Sequence, residues 1–194
     1  MKIGLYFGSF NPIHNGHLIV ANIAQHTTDL QQVWLVVSPQ NPFKPSTTLL
    51  NEYHRLHLVQ TAIENDNYLR VTDIEFHLPK PSYTVNTLAY LQEKYPQHEF
   101  AIIMGSDSFS NLPQWKNAHT IITNHEVYVY KRPGFEVVNT LNARLHIINA
   151  PLLEISSTQI RSYIQQNIPI RYMVPDKVEQ EISLNNYYKK QINI

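Results

Sequence analysis

The chain has 194 residues, 43% of them hydrophobic and 15% charged, which is the composition of a globular protein and excludes a disordered one. Lys and Arg together number 15, as do Asp and Glu, so the formal net charge is zero and the basic excess of a nucleic-acid binder is missing. There is no cysteine, which rules out disulfides, thiol nucleophiles and cysteine-based zinc sites and fits the cytoplasm; no run reaches the ~18 apolar residues of a membrane span, and the opening MKIGLYFG is too quickly polar for a secretory signal.

The length suits a single domain over 1–194, with about 155–194 as its C-terminal helical part. In chain order, residues 2–7 (KIGLYF) read as a buried strand and 16–26 (GHLIVANIAQH) as an amphipathic helix, with Asn15 as candidate N-cap. Residues 32–37 (QVWLVV) form a second buried strand. Three prolines make 38–46 a loop, and a helix follows at about 50–64. A third strand at 69–73 leads through the loop FHLPKPSY to a helix at 84–94. The strand EFAIIM at 99–104 ends in Gly105-Ser106-Asp107, where Asp107 is placed to cap a helix from 108. A helix near 116–123, a strand at 126–131, short strands at 144–149 and 152–155, and helices at about 157–166 and 176–184 complete the chain.

Strand–helix alternation with continuous Val/Ile-rich strands predicts an α/β fold, a doubly wound parallel sheet with a short C-terminal helical extension. If the strand order is 3-2-1-4-5, strands 1 and 4 meet at the switch point, where ligands bind beyond the carboxyl ends. The loops GSFNPIHNGH and GSDSF then converge on one crevice.

Glycine is scarce, and three of the five fall in the first sixteen residues. No Walker A sequence and no G-x-G-x-x-G is present, so GSFNPIHNGH is a different kind of phosphate loop. Gly8 permits close backbone approach, Gly16 lies where a helix begins and offers free N–H groups to an anion, and His14 and His17 flank that point with imidazole donors. H-x-x-H by itself also reads as turn decoration or a metal fragment. The segment ISSTQIR reads as a helix start, with Ser156 and Gln159 forming a capping box; it still leaves backbone donors, the hydroxyls of Ser157 and Thr158, and the cation of Arg161.

Taken together these motifs resemble the H-x-G-H nucleotidyltransferase superfamily and, within it, bacterial nicotinate-nucleotide adenylyltransferases. The usual opening G-T-F-D-P-I-H-x-G-H-L appears as Gly8-Ser9-Phe10-Asn11-Pro12-Ile13-His14-Asn15-Gly16-His17-Leu18, with Ser9 for Thr and Asn11 for Asp. Asn41-Pro42-Phe43-Lys44, Arg55 with Ala62-Ile63, Ser82-Tyr83-Thr84-Val85-Asn86-Thr87-Leu88, Gly105-Ser106-Asp107 with Leu112-Pro113-x-Trp115, Arg132-Pro133-Gly134, Ile155-Ser156-Ser157-Thr158-x-Ile160-Arg161 and Tyr172-Met173-Val174-Pro175 follow the family in order.

The resemblance implies a Rossmann-like nucleotidyltransferase fold and adenylyl transfer from ATP to nicotinate mononucleotide, with Mg²⁺ delivered by ATP and no protein metal site. It implies an ATP site of Gly8, Ser9, Phe10, His14, His17, Gly105, Asp107, Ile155, Ser157, Thr158 and Arg161, with Asp107 near the ribose. For the mononucleotide it implies Lys44, Tyr83, Thr84, Trp115 and Arg132, the nicotinate carboxylate being met by backbone N–H groups near Thr84 and Trp115. Catalysis falls to His14, His17, Lys44 and Arg161. Bland readings stand beside these: Lys44 and Arg55 as surface cations, Trp115 as a core side chain, His54 and His57 as exposed helix residues. The rivals are a phosphopantetheine adenylyltransferase, whose signature carries T-x-G-H; a cytidylyltransferase, with R-T-x-G-I-S-T-T; and a non-catalytic sensor, free to lose the histidines or the acceptor site. The partners implied are small molecules, without nucleic acid or membrane; self-association into a homo-oligomer is compatible with the sequence.

Overall fold

The computed structural model describes residues 1–40 and 49–189. Its sheet has six parallel strands: β1 (Lys2–Gly8), β2 (Gln32–Val37), β3 (Leu69–Thr72), β4 (Glu99–Gly105), β5 (Val127–Tyr130) and β6 (Leu145–Ile148), in the order β3-β2-β1-β4-β5-β6. The expected order holds over the first five, and residues 144–149 add a sixth at the edge. The helices are α1 (Asn15–Thr27), α2 (Glu52–Ile63), α3 (Thr84–Lys94), α4 (Ser106–Ser110), α5 (Ala118–Asn124), α6 (Ser157–Gln165) and α7 (Asp176–Leu184), with single 3-10 turns at Ile74–His77 and Leu112–Gln114.

The period of two along each strand divides its side chains between two cores. Tyr6, Val33, Leu35, Ala101, Ile103 and Tyr128 face one side, against Val20 and Ala24 of α1, Leu58 and Val59 of α2, Ile160 of α6 and Val178 of α7. Ile3, Leu5, Val36, Ile102 and Val129 face the other, against Leu88 and Leu91 of α3, Phe109 of α4 and Ile121 of α5. Strands buried on both faces are therefore apolar throughout, which is why they were legible as strands.

Three local expectations are corrected. His14, in extended conformation, is the N-cap of α1, not Asn15. Asn15 is held elsewhere: its N–H donates to the Met173 carbonyl at 2.9 Å and its amide to the Tyr172 carbonyl at 2.7 Å. At the end of β4 the chain turns straight into α4 with Gly105 as N-cap, so Asp107 sits inside the first turn and does not cap a helix from 108. Residues 152–155 form no strand; they leave the sheet edge, and Leu153 and Ile155 instead border the same cleft as His14 and His17.

Candidate active site

β1 and β4 are neighbours, and the loops at their carboxyl ends frame the site as the switch-point argument requires. The first loop is built tightly. Phe10 is 1% exposed and holds φ of 44°, folding its ring back under Gly8. A Cβ at Gly8 would lie 2.8 Å from that ring, so a side chain there would displace it. The Asn11 side chain accepts from Leu50 N at 3.1 Å, so the amide that replaces the family's usual Asp acts as a staple between this loop and the approach to α2.

Arg55 fixes the rest of that frame. It is completely buried and donates to four carbonyls: Leu50 at 2.8 Å, Ser9 at 2.6 Å, Ser38 at 2.8 Å and Pro39 at 3.0 Å. The fork geometry of a guanidinium suits such convergent acceptors. The surface reading of Arg55 is therefore wrong: it clasps the ends of β1 and β2 together.

His14 and His17 cap one another. The His14 ring Nδ1 accepts from His17 N at 3.4 Å, and the His17 ring Nδ1 accepts from His14 N at 3.3 Å. The rings lie stacked with centroids 3.6 Å apart. An Nδ1 that accepts is unprotonated, so in the neutral ring the proton is on Nε2, and each imidazole can present an Nε2–H donor. Burial, with Arg132 nearby adding repulsion, pulls the His14 pKa down to about 4, so this imidazole is neutral at pH 7 in the unliganded protein. Polyphosphate in the cleft would reverse that electrostatic balance.

The start of α6 closes the other side. Ser156 Oγ accepts from Gln159 N at 3.2 Å, but the Gln159 side chain donates to the Tyr163 hydroxyl at 3.1 Å, so only half of the expected capping box forms. Ser157 Oγ donates to the Pro12 carbonyl at 2.9 Å. Arg161 donates to the Asn11 carbonyl at 2.7 Å and to Thr158 Oγ1 at 3.3 Å. The first-turn N–H groups of Ser157 and Thr158, which no helix carbonyl can reach, border one cleft with Ser9, His14, His17, Asp107 and Arg132. Two helix N-termini and two imidazoles thus converge, a site suited to a polyanion.

Asp107 and Arg132 form an ion pair of 3.1 Å at the rim of this cleft, and Arg132 N donates to Ser106 Oγ at 2.9 Å. Gly105 makes room for the pair: a Cβ there would lie 2.4 Å from Asp107 Oδ1. That oxygen is buried without a hydrogen-bond partner, which leaves an acceptor for a hydroxyl group.

A second cleft opens on the far side of the β1–β4 junction, lined by Gly8, Ser82, Tyr83, Thr84, Met104 and Trp115, with Glu75 and Lys116. It encloses about 130 Å³, near the ~150 Å³ that accepts one benzene ring. The N-terminus of α3 has no side-chain cap, so the first-turn N–H of Thr84 lies open beside it. Glu75 is 2% exposed and clamps this turn, accepting from Ser82 Oγ at 2.7 Å and Thr87 Oγ1 at 2.9 Å.

Tyr83, Thr84 and Trp115 are brought together as the sequence suggested; the Trp115 N–H itself is taken by the Leu112 carbonyl at 3.0 Å, while the first turn of α3 at Thr84 carries no side-chain cap. Arg132 stands with Asp107 and His14, not with this group. Lys44 lies outside the described residues. Sequence reasoning missed Glu75, which reads as one more polar residue in the stretch TDIEFH, and the Tyr6–Tyr130 pair, which looks like ordinary strand interior.

Residues 5–163 match the family model described as cytidylyltransferase-like. Over 193 residues the chain is 51% identical to a probable nicotinate-nucleotide adenylyltransferase of Flavobacterium psychrophilum, covering 98% of this chain and all of the relative, and 49% identical to that of Flavobacterium johnsoniae. Among solved structures, the Plasmodium falciparum nicotinic acid mononucleotide adenylyltransferase complexed with NaAD superposes with a TM-score of 0.82 at 21% identity, covering 96% of this chain and 97% of that one, a likeness of fold.

Proposed function

The chain belongs to the nicotinate-nucleotide adenylyltransferase family, and from that premise we propose that it transfers the adenylyl group of ATP to nicotinate mononucleotide, giving nicotinate adenine dinucleotide and pyrophosphate for NAD biosynthesis. The observation that carries this reading is the pair of clefts sharing one wall at the β1–β4 junction. One is rich in anion donors; the other is an aromatic slot with an open helix N-terminus.

The mononucleotide phosphate is ionised at neutral pH and needs no protein base. One of its oxygens attacks the α-phosphorus of ATP in line; the new O–P bond forms as the bond to the bridging oxygen breaks, and that electron pair leaves with pyrophosphate. The protein's part is positioning and charge stabilisation. The Nε2–H groups of His14 and His17 serve the phosphates, joined by the α6 N-terminus with Ser157 and Thr158, by Arg161, and by Lys44. Gly8, Ser9, Phe10 and Gly105 line the path of the ATP, Asp107 Oδ1 accepts from its ribose, and Ile155 flanks the adenine. Tyr83, Thr84 and Trp115 take the nicotinate ring and its carboxylate. Arg132 is better assigned to the ATP side, since it is paired with Asp107. Mg²⁺ would arrive with ATP, held mostly by phosphate and water. No helix among the described residues is long and apolar enough to cross a membrane, and we place the enzyme in the cytoplasm with its nucleotide substrates.

The test is incubation with ATP, Mg²⁺ and, separately, nicotinate mononucleotide, nicotinamide mononucleotide and phosphopantetheine, following pyrophosphate and the coupled product. Fastest release with the nicotinate form supports the assignment; release only with phosphopantetheine, or none with any acceptor, refutes it.

A further inference from the structure

Tyr6 and Tyr130 place their hydroxyls 3.0 Å apart beneath the site, with ring centroids 5.9 Å apart, edge to face. Both line the anion-rich cleft and the aromatic cleft. Among the described residues five border both: Tyr6, Phe7, Gly8, Ser108 and Tyr130. This shared wall is where a phosphate reaching out of one cleft must meet a phosphate reaching out of the other.

The pair carries two O–H protons and contains one hydrogen bond. Each tyrosine hydroxyl can donate once. Among the described residues neither oxygen makes a second hydrogen bond. Burial decides which proton is left over. Tyr6 is 4% exposed and its ring is enclosed by Phe10, His17 and Tyr130, so its proton stays within the pair. Tyr130 is half-buried, stands at the last position of β5 and lines both clefts, and its hydroxyl accepts from Tyr6. Its O–H is therefore the free donor. Because its oxygen accepts from Tyr6, the bond it gives outward is strengthened. Burial also raises the pKa of both hydroxyls, which keeps them protonated through the neutral range.

We propose that the Tyr130 hydroxyl donates a hydrogen bond to a phosphoryl oxygen at the point of transfer, and that Tyr6 is the positioning residue that aims it. The inference rests on the adenylyl-transfer reading given above. A neutral donor to a phosphate oxygen makes a charge-assisted bond, whose loss from the transition state corresponds to about tenfold or more in rate.

Tyr130→Phe and Tyr6→Phe are assayed with ATP, Mg²⁺ and nicotinate mononucleotide, with thermal midpoints measured alongside. The expected result is a fall in kcat of about tenfold or more for Y130F, both KM values staying within about threefold. Y6F keeps the donor but loosens it, and its kcat falls less. Wild-type kcat in Y130F, with both variants losing equal thermal stability, makes the pair a packing bond and overturns the inference. A rise confined to the KM of one substrate moves the hydroxyl away from the transfer point and also overturns it. If wild-type protein itself releases no pyrophosphate, the reading of function falls and takes this inference with it; active wild-type protein beside an unimpaired Y130F removes the inference alone.

Discussion

Replacing Arg55 by methionine tests how the active-site frame is held. The methionine occupies a similar apolar stem but leaves the carbonyls of Ser9, Ser38, Pro39 and Leu50 without the donors they now use. Hydrogen bonds to a charged group contribute about 1.5–3 kcal/mol each. Four of them exceed the net effect, because removing the guanidinium also relieves the several kcal/mol that its burial costs. Breaking a buried charged network from one side typically destabilises by about 3–5 kcal/mol. For a chain of this length that corresponds to a melting midpoint lowered by roughly 6–20 °C. Three of the four carbonyls belong to the loops at the ends of β1 and β2, so activity should fall faster than stability, even at temperatures where the variant is folded. The assay is urea unfolding followed by tryptophan fluorescence, paired with pyrophosphate release well below the midpoint. Arg55→Lys, with a point charge and no fork, should recover part of the stability and little of the activity. If R55M unfolds within 1 kcal/mol of wild type, the buried clasp contributes little and the account of the loop frame is wrong.

His17→Ala should lower turnover about 100-fold or more through loss of a phosphate donor while the far-ultraviolet dichroism stays unchanged; near-normal turnover would remove His17 from the mechanism. Because the His14 pKa is about 4 in the folded chain and near 6.5 unfolded, the unfolded state binds more protons as pH falls through that window. His14 therefore contributes constant stability above neutrality and loses about 2.5 kcal/mol of it by pH 4.5, whereas His14→Asn, which keeps the helix cap, should lack that component of the slope. Equal pH dependence in the two proteins would contradict a neutral buried imidazole. Trp115→Leu should raise the KM for nicotinate mononucleotide about tenfold, the scale of one aromatic stacking contact, with the KM for ATP nearly unchanged; an effect on ATP alone would exchange the two clefts.

The elements that were legible in the sequence are those whose signal is local or repeated. Strands such as Val33–Val37 are apolar at every position because both faces of the sheet are covered, and their shortness and Val-rich make-up favour a strand over a buried helix. Gly8 and Gly105, at the ends of adjacent strands, pointed to the crevice, and the ordered motifs pointed to the family. The short pieces were less legible. The segment 152–155 has strand-like composition but no sheet edge to join, and α4 begins two residues before the position its acid suggested because β4 runs directly into it.

What the sequence determined by itself is the parallel α/β sheet, the placing of His14, His17 and the α6 start at helix N-termini, and the chemistry those groups offer. What only the tertiary structure decided is the set of partners. A single arginine in a helix carries no mark that four carbonyls from three separate segments will converge on it. Nor does a pair of tyrosines 124 residues apart announce that their hydroxyls will meet beneath the junction of two clefts. Periodicity encodes burial along one element, whereas hydrogen-bond partners and proton positions depend on which elements the completed sheet brings side by side.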